Sequence, residues 1–399
     1  MLLQQGPGAL AYRRCRSQGC YRQPHCSSMS PRNSPGARTG SAPEGRLAGF
    51  EIMEEVMMQT GKLLGLGTLS VVAAISSQAA LAQGFKSATP ADWARVVVEA
   101  RKEGRVALYS AAVPAVLNRL KEDFEKHNPG IIVEVTRIVG TQLVSKMDQE
   151  RGTGADGADV AITPETTWVT DRIKQSQLKL PAGPAASPWP ARYIVGGGSP
   201  LLAIEPMVIA YNTKLVKTPV NSYEDLLRPE FKGKLATPDL IATIFMAWYD
   251  WLDQTRGPKF LPALAAQSPK FYPSAVQSTQ LLVAGELLGS TLTVPTIVVP
   301  LIAQGAPIKM VVPSTGVIGT PYFGVIAGWS KRPNAAQMFM DYVMSPAGQA
   351  TWAVNGEIAS PLPNIPNSLP IATTAPADPS KFTPEVAKEY KAKWDKIFK

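Results

Sequence analysis

Apolar residues recur every three to four positions from Trp93 to Ala100, then close up into the run Val106-Ala107-Leu108-Tyr109. The first spacing predicts an amphipathic helix, with Thr89 as N-cap, Pro90 in the first turn and Gly104 at the end. The second predicts a buried strand. The alternation then repeats. Val113, Val116, Leu117, Leu120 and Phe124 form the stripe of a second helix, which Asn128-Pro129-Gly130 stops. Ile131 to Val135 reads as a second strand, Leu143, Val144 and Met147 as a third helix, and Ala158 to Ile162 as a third strand. Strands alternating with helices in this way predict a parallel α/β sheet.

A second stretch of the same kind begins at Met207. Met207-Val208-Ile209-Ala210-Tyr211 is an apolar strand ended by the turn former Asn212. A helix start at Asn221-Ser222, a short amphipathic turn from Tyr223 to Leu227 and the loop Pro229–Lys234 lead to a further strand, Leu235-Ala236-Thr237. Thr315 to Val325 is glycine-rich and reads as two strand pieces, with Gly316 and Gly319 offering hinge freedom or close backbone approach. Helices are expected over Ala335–Met344 and Ala347–Val354, an extended strap over Pro361–Pro379, and a final basic amphipathic helix over Thr383–Phe398. Gly196-Gly197-Gly198-Ser199 has neither the Gly-Lys-Ser/Thr of a Walker loop nor a dinucleotide context, and reads as a flexible approach to the crossover that follows. Trp189, between two prolines, is either a cleft-lip residue or a packed loop aromatic.

The first 82 residues differ in character. Residues 1–57 are rich in Gly, Pro, Ser and Arg without an apolar period, and read as a disordered or non-native extension. Residues 58–82 have the plan of a secretory signal peptide: Lys62, an apolar run from Leu63 to Ile75, and Ala80-Leu81-Ala82 as a cleavage site, with the cut expected after Ala82. Translation is therefore expected to start at Met53, Met57 or Met58, and the mature chain to lie in the periplasm. Eight of the 40 Lys/Arg and four of the 31 acidic residues precede Gln83, so the +9 of the whole chain falls to +5 in the body. No block of like charge remains there, which argues against nucleic acid as a partner.

Cys15, Cys20 and Cys26 are the only cysteines, and His127 is the only histidine after residue 82. The body therefore lacks the material for a Cys/His zinc site, a thiol nucleophile or a disulfide. It has no Gly-x-Ser-x-Gly elbow and no His-Glu-x-x-His. Ser176-Gln177-Leu178-Lys179 matches Ser-x-x-Lys beside a polar helix end, and the Glu224-Asp225 pair reads as solvated surface. No enzyme is expected and no cofactor.

Several stretches together resemble a known family. Met207–Asp239 is similar to the crossover and second-lobe entry of bacterial periplasmic solute-binding proteins, the extracellular components of ABC importers. Trp93 to Ser110, Glu150 to Val160, Val283 to Glu286, Gln304 to Ile308 and Ala335 to Gln349 carry the same likeness, which spans about residues 90–356. Within that family the chain looks nearest to the branch labelled ferric-iron binding. The resemblance implies a type II two-lobe α/β periplasmic binding fold with two crossover strands forming a hinge, near Ile204–Tyr211 and Gly316–Val325. Lobe 1 would comprise residues 83–203 and 321–399, the latter including the C-terminal helix, and lobe 2 residues 204–320. It also implies a monomer that captures a small solute by hinge closure and delivers it to a membrane permease. The alternatives are a ferric-ion binder using non-standard ligands, a secreted α/β enzyme, or a protein that presents its solute to a sensor.

In such sheets ligands bind at the carboxyl ends of strands, against helix N-termini. The candidates on this basis are Ser110 and Ala111 after the first strand; Thr163, Glu165 and Thr166 after the third; and Thr243 in the second lobe. For Ser110 and Thr243, helix capping explains the residue as well as ligand contact does. Thr291 and Thr293 fall where ferric-binding members place an adjacent tyrosine pair as iron ligands. No tyrosine occurs between Gly285 and Gln304, so iron binding by that mode is not expected. Tyr211 and Tyr322 would lie near the hinge, as core or contact residues. Hydroxyls and backbone groups in these loops imply a small polar or anionic organic solute.

Overall fold

The computed structural model describes residues 84–138 and 141–399; the expected leader, its cleavage site and the extension before it lie outside the described residues. Helix α1 (Pro90–Glu103) is bounded as its sequence predicts. Thr89 Oγ1 accepts the Asp92 N–H at 3.2 Å, and Gly104 ends the helix at a φ of 70°. Then follow β1 (Arg105–Ser110), α2 (Pro114–His127), β2 (Ile132–Arg137), α3 (Thr141–Thr153), β3 (Val160–Thr163) and α4 (Thr166–Lys174). Three strands come next: β4 (Leu178–Lys179), β5 (Ile194–Val195) and β6 (Ser199–Pro206). The triple glycine is not a flexible approach. Gly196 and Gly197 take φ values of 56° and 72°, and two successive left-handed residues close a tight hairpin between β5 and β6.

Beyond Met207 the chain enters a second unit: β7 (Val208–Asn212), β8 (Leu235–Pro238), α5 (Thr243–Arg256), α6 (Phe260–Ala266), β9 (Lys270–Tyr272), α7 (Ala275–Ala284), β10 (Gly289–Thr293), α8 (Pro295–Ala303) and β11 (Ile308–Val311). Strand β12 (Val317–Ala327) then returns to the first sheet, where α9 (Pro333–Met344) and α10 (Pro346–Trp352) follow. The region expected as two strand pieces is one strand, with a register irregularity between Tyr322 and Phe323. Among the described residues the first sheet runs β2-β1-β3-β12-β6-β5, with β4 at one end of β12, and the second runs β11-β7-β10-β8-β9. The β1–β2–β3 and β8–β9–β10 sets are parallel as expected; β6, β7, β11 and β12, which carry the crossings, pair antiparallel.

Each sheet is buried on both faces, as strands this apolar require. In the first lobe, α1, α2, α9 and α10 cover one face around Leu108, Leu120, Phe124 and Phe339, and α3 and α4 cover the other. Trp189 is packed in the former core and is no lip residue. In the second lobe α5 and α6 lie on one face, α7 and α8 on the other.

The tail makes a further crossing beside the two expected. Strand β13 (Thr374–Pro376) pairs parallel with Val317–Gly319 of β12, and α11 (Pro384–Phe398) then packs into the second lobe through Trp394. The hinge is therefore a ribbon of β6, β12 and β13. Gly319 sits in it where β12 passes β6: a Cβ there would stand 2.4 Å from the Glu205 backbone oxygen. Gly319→Ala is expected to cost about 1–3 kcal/mol through overpacking, seen as a lower denaturant midpoint at constant slope. An unchanged midpoint would mean the strands part freely there.

At the opposite end of the first sheet, Asp159 is wholly buried at the start of β3. Its Oδ2 accepts the Ala107 N–H at 2.8 Å and Arg332 Nε at 2.7 Å, and its Oδ1 accepts the Ser330 hydroxyl at 2.6 Å. Arg332 also donates both terminal nitrogens to Asp156, at 2.9 and 2.6 Å, which with Asp159 holds its guanidinium firmly protonated. This network ties the start of α9 to β1 and β3.

Candidate functional site

The carboxyl ends of β1, β2 and β3 in one lobe and of β8 and β10 in the other lead into the N-termini of α2, α3, α4, α5 and α8. Unbonded N–H groups at such ends favour polar or anionic groups. The predicted residues occupy these positions in different ways. Ser110 is fully buried, and its Oγ accepts the Ala112 N–H at 3.1 Å; Ala111 is half-buried against the core. Thr163 is fully buried and accepts the Glu165 N–H at 3.3 Å. Thr166 opens α4 and lines a cavity of about 330 Å³ with Arg192, Tyr193, Phe323 and Asp378. Glu165, half-buried just before α4, has its carboxyl pushed up by desolvation.

In the second lobe Thr243 is exposed at the first position of α5. Thr291 and Thr293 are fully buried and bond within the lobe, Thr291 donating to Thr237 and Thr293 bonding Thr279, each at 2.9 Å. Tyr211 packs in the core of that lobe. Tyr322 faces the first-lobe core, and its hydroxyl donates to Glu205 Oε2 at 3.3 Å. Among the described residues no three His, Cys, Asp or Glu side chains converge as a metal site. No described helix is long and apolar enough to cross a membrane.

The structure adds two residues that were not singled out from the sequence. Glu205, at the end of β6, joins the lobes: Thr296 in the first turn of α8 donates to its Oε1 at 2.6 Å, while Tyr322 of β12 donates to Oε2. Its carboxyl lies deep in the protein, although the residue as a whole is partly exposed. Burial pushes its pKa up, the charge of Glu357 adds to the rise, and the two hydroxyls oppose it. Glu357 is itself paired with Arg119. The Tyr322 hydroxyl is raised well above its ordinary value by burial and by Glu205, so it stays a donor.

The second residue is Arg137, the exposed last residue of β2. Its Nε donates to the Ala112 carbonyl at 3.0 Å, beside the first turn of α2, and its charge acts on the Tyr322 hydroxyl. Tyr322, Glu205 and Thr296 thus form one polar group at the hinge, and Arg137 bonds the loop after β1. One sequence signal marks Glu205: it is the only charged residue between Ser199 and Asn212.

The family described as bacterial extracellular solute-binding protein matches residues 106–356. Among solved structures, the substrate-binding protein of an ABC transporter from Agrobacterium tumefaciens is 17% identical with a TM-score of 0.60, covering 74% of this chain and 94% of that one. Iron-bound HitA from Pseudomonas aeruginosa is 19% identical with a TM-score of 0.56, over 73% and 99%. PotD, the spermidine/putrescine ABC transporter substrate-binding protein of Streptococcus pneumoniae, is 14% identical with a TM-score of 0.55, over 74% and 99%. At these identities the structural likeness speaks for the fold alone. No curated protein matches the chain.

Proposed function

The chain belongs to the bacterial extracellular solute-binding proteins, as a solute-binding component of a periplasmic ABC import system, and on that premise we propose that it traps a small polar organic solute between its lobes. The closed lobes then present their joint surface to a membrane permease, and the solute leaves without chemical change. The observation that carries this reading is the bond from Thr296 in one lobe to Glu205 in the other, at the floor where the crossing strands meet. A solute seated there touches both lobes at once and so favours the closed arrangement.

Ser110, Ala111, Thr163, Glu165, Thr166 and Thr243 are the proposed cleft wall, with Tyr322 at its floor. Thr291, Thr293 and Tyr211 support the second lobe behind it. The test is thermal unfolding of the protein, refolded to strip carried-over solute, against polyamines, thiamine, phosphonates, small carboxylates, amino acids, oxyanions, and ferric iron with and without carbonate. A solute at about 100 times its Kd adds roughly 2.7 kcal/mol. One organic hit supports the proposal, whereas a response to ferric iron alone would overturn the organic-solute reading.

A further inference from the structure

We propose a second binding site, on the other side of the hinge ribbon from Glu205, for a free amino acid with an apolar side chain. It goes beyond solute capture and does not depend on it. Tyr322, which bonds Glu205, packs in the core on one face of the first sheet, and its neighbour Phe323 packs in the core on the opposite face. Phe323 lines the cavity of about 330 Å³ that Thr166 also lines. The floor of this cavity is apolar and closed: Leu201, Phe323 and Ala377 are 5%, 4% and 2% exposed, and Pro321 is buried beside them. Its wall joins β6 and β12 to the residues that follow β13, so an occupant touches the first lobe and the tail crossing together. Thr166 is the one residue it shares with the proposed cleft wall.

Charge is confined to the rim. Arg192 and Asp378 both line the cavity and both are exposed, yet they do not pair with each other. The Arg192 guanidinium lies over the Tyr193 ring, 4.8 Å from its centre, and meets no carboxylate among the described residues. Asp378 accepts the Ser380 N–H at 3.1 Å and the Ser380 hydroxyl, both on Oδ1, which leaves Oδ2 open. An unpaired guanidinium suits a carboxylate through two parallel N–H bonds, and the open Asp378 oxygen suits an ammonium group. An amino acid carries both charges on one carbon, so its side chain is free to enter the apolar floor and leave water. A simple carboxylate would set its charge against Asp378, and a simple amine against Arg192. A cavity of this volume is at the small end of ligand pockets, which fits a single amino acid rather than a peptide.

The test is calorimetric titration of the stripped protein with leucine, methionine, phenylalanine and glycine. Beside them, 4-methylpentanoate is leucine without its ammonium group, and 3-methylbutylamine is leucine without its carboxylate. Leucine is expected to bind at least about tenfold more tightly than glycine, because its side chain alone fills the floor. It should exceed each single-charge analogue by about twofold to fivefold, the modest factor that exposed charge pairs supply. Arg192→Gln should lower leucine to about the affinity of 3-methylbutylamine, and Asp378→Asn to about that of 4-methylpentanoate. Both changes are at exposed positions, and unfolding midpoints establish that the variants fold. A leucine response that these two variants remove belongs to this site, and solute capture is then judged on the other solutes. Glycine binding as tightly as leucine, or leucine binding undiminished in both variants, overturns the inference. Leucine binding lost in Glu205→Gln but kept in the rim variants would seat the amino acid in the cleft, overturning the second site while solute capture stands. Binding by none of leucine, methionine and phenylalanine overturns it outright.

Discussion

Asp159→Ala is expected to remove about 3–5 kcal/mol of stability, the range for stripping one partner from a buried ion pair. The carboxylate is fully buried, and three donors meet on it: the Ala107 N–H, the Ser330 hydroxyl and Arg332 Nε. Removing it leaves the Arg332 guanidinium, itself largely buried, facing only the half-exposed Asp156. Two backbone or side-chain donors lose their acceptor in the same step, and each unsatisfied donor adds to the cost. Asp156→Ala is the control. Its side chain is 48% exposed, so water replaces what Arg332 provides and the change should stay within about 1 kcal/mol. Urea unfolding of the two variants beside the parent chain measures both. Equal shifts would show that the network is not organised around Asp159.

Trp394→Ala is expected to cost about 3–5 kcal/mol, as large aromatic truncations in a core do. This residue lies near the end of the chain, where substitution is usually tolerated. Here it is 2% exposed, with Phe398 at 5.0 Å, Phe271 at 5.1 Å and Tyr249 at 5.7 Å between ring centres. Those partners belong to α11, β9 and α5, so the loss falls on the second lobe. Amide hydrogen exchange separates the lobes: exchange in α5 and β9 should rise, while α1 and α2 keep their protection. A uniform rise across both lobes would mean that α11 acts on the whole molecule instead.

Elements with a sustained period could be read in advance. The α2 stripe is buried at Val116, Leu117, Leu120 and Phe124, and the Thr89 cap bonds as its position suggested. The apolar crossings were legible because strands buried on both faces leave continuous hydrophobic runs. β13 was hidden for the opposite reason: three residues ending in a proline carry no period, and only their pairing with β12 makes them a strand. The hairpin at Gly196-Gly197 was available to a reading of turn chemistry, since two consecutive left-handed residues at the centre of the Val195–Gly198 turn call for glycine.

The polar group at the hinge was less accessible for a physical reason. Glu205 meets Thr296 and Tyr322 at sequence separations of 91 and 117, and no local spacing encodes such a meeting. What the sequence displayed was a lone acid in an apolar strand, a signal that something must answer its charge. Arg137 displayed less, as one basic residue at a strand end. The threonines picked for their hydroxyls show the complementary effect. Thr291 and Thr293 are polar in composition, but they bond to Thr237 and Thr279 inside the lobe.

The tail crossing also governs the order in which the chain can fold. Without β12 the first sheet is two fragments, β2-β1-β3 and β6-β5, and without α11 the core around Tyr249 and Phe271 stays open. Both closures wait for the C-terminal fifth of the sequence or the residues just before it. Neither lobe can be finished as a unit while the rest is still being made, although domains often fold in turn from the N-terminus. Contacts of such long reach slow folding, so the chain should mature late and in one concerted step. A nascent chain stopped before Pro384 should remain open to protease in its second lobe, even with every other element of that lobe already present.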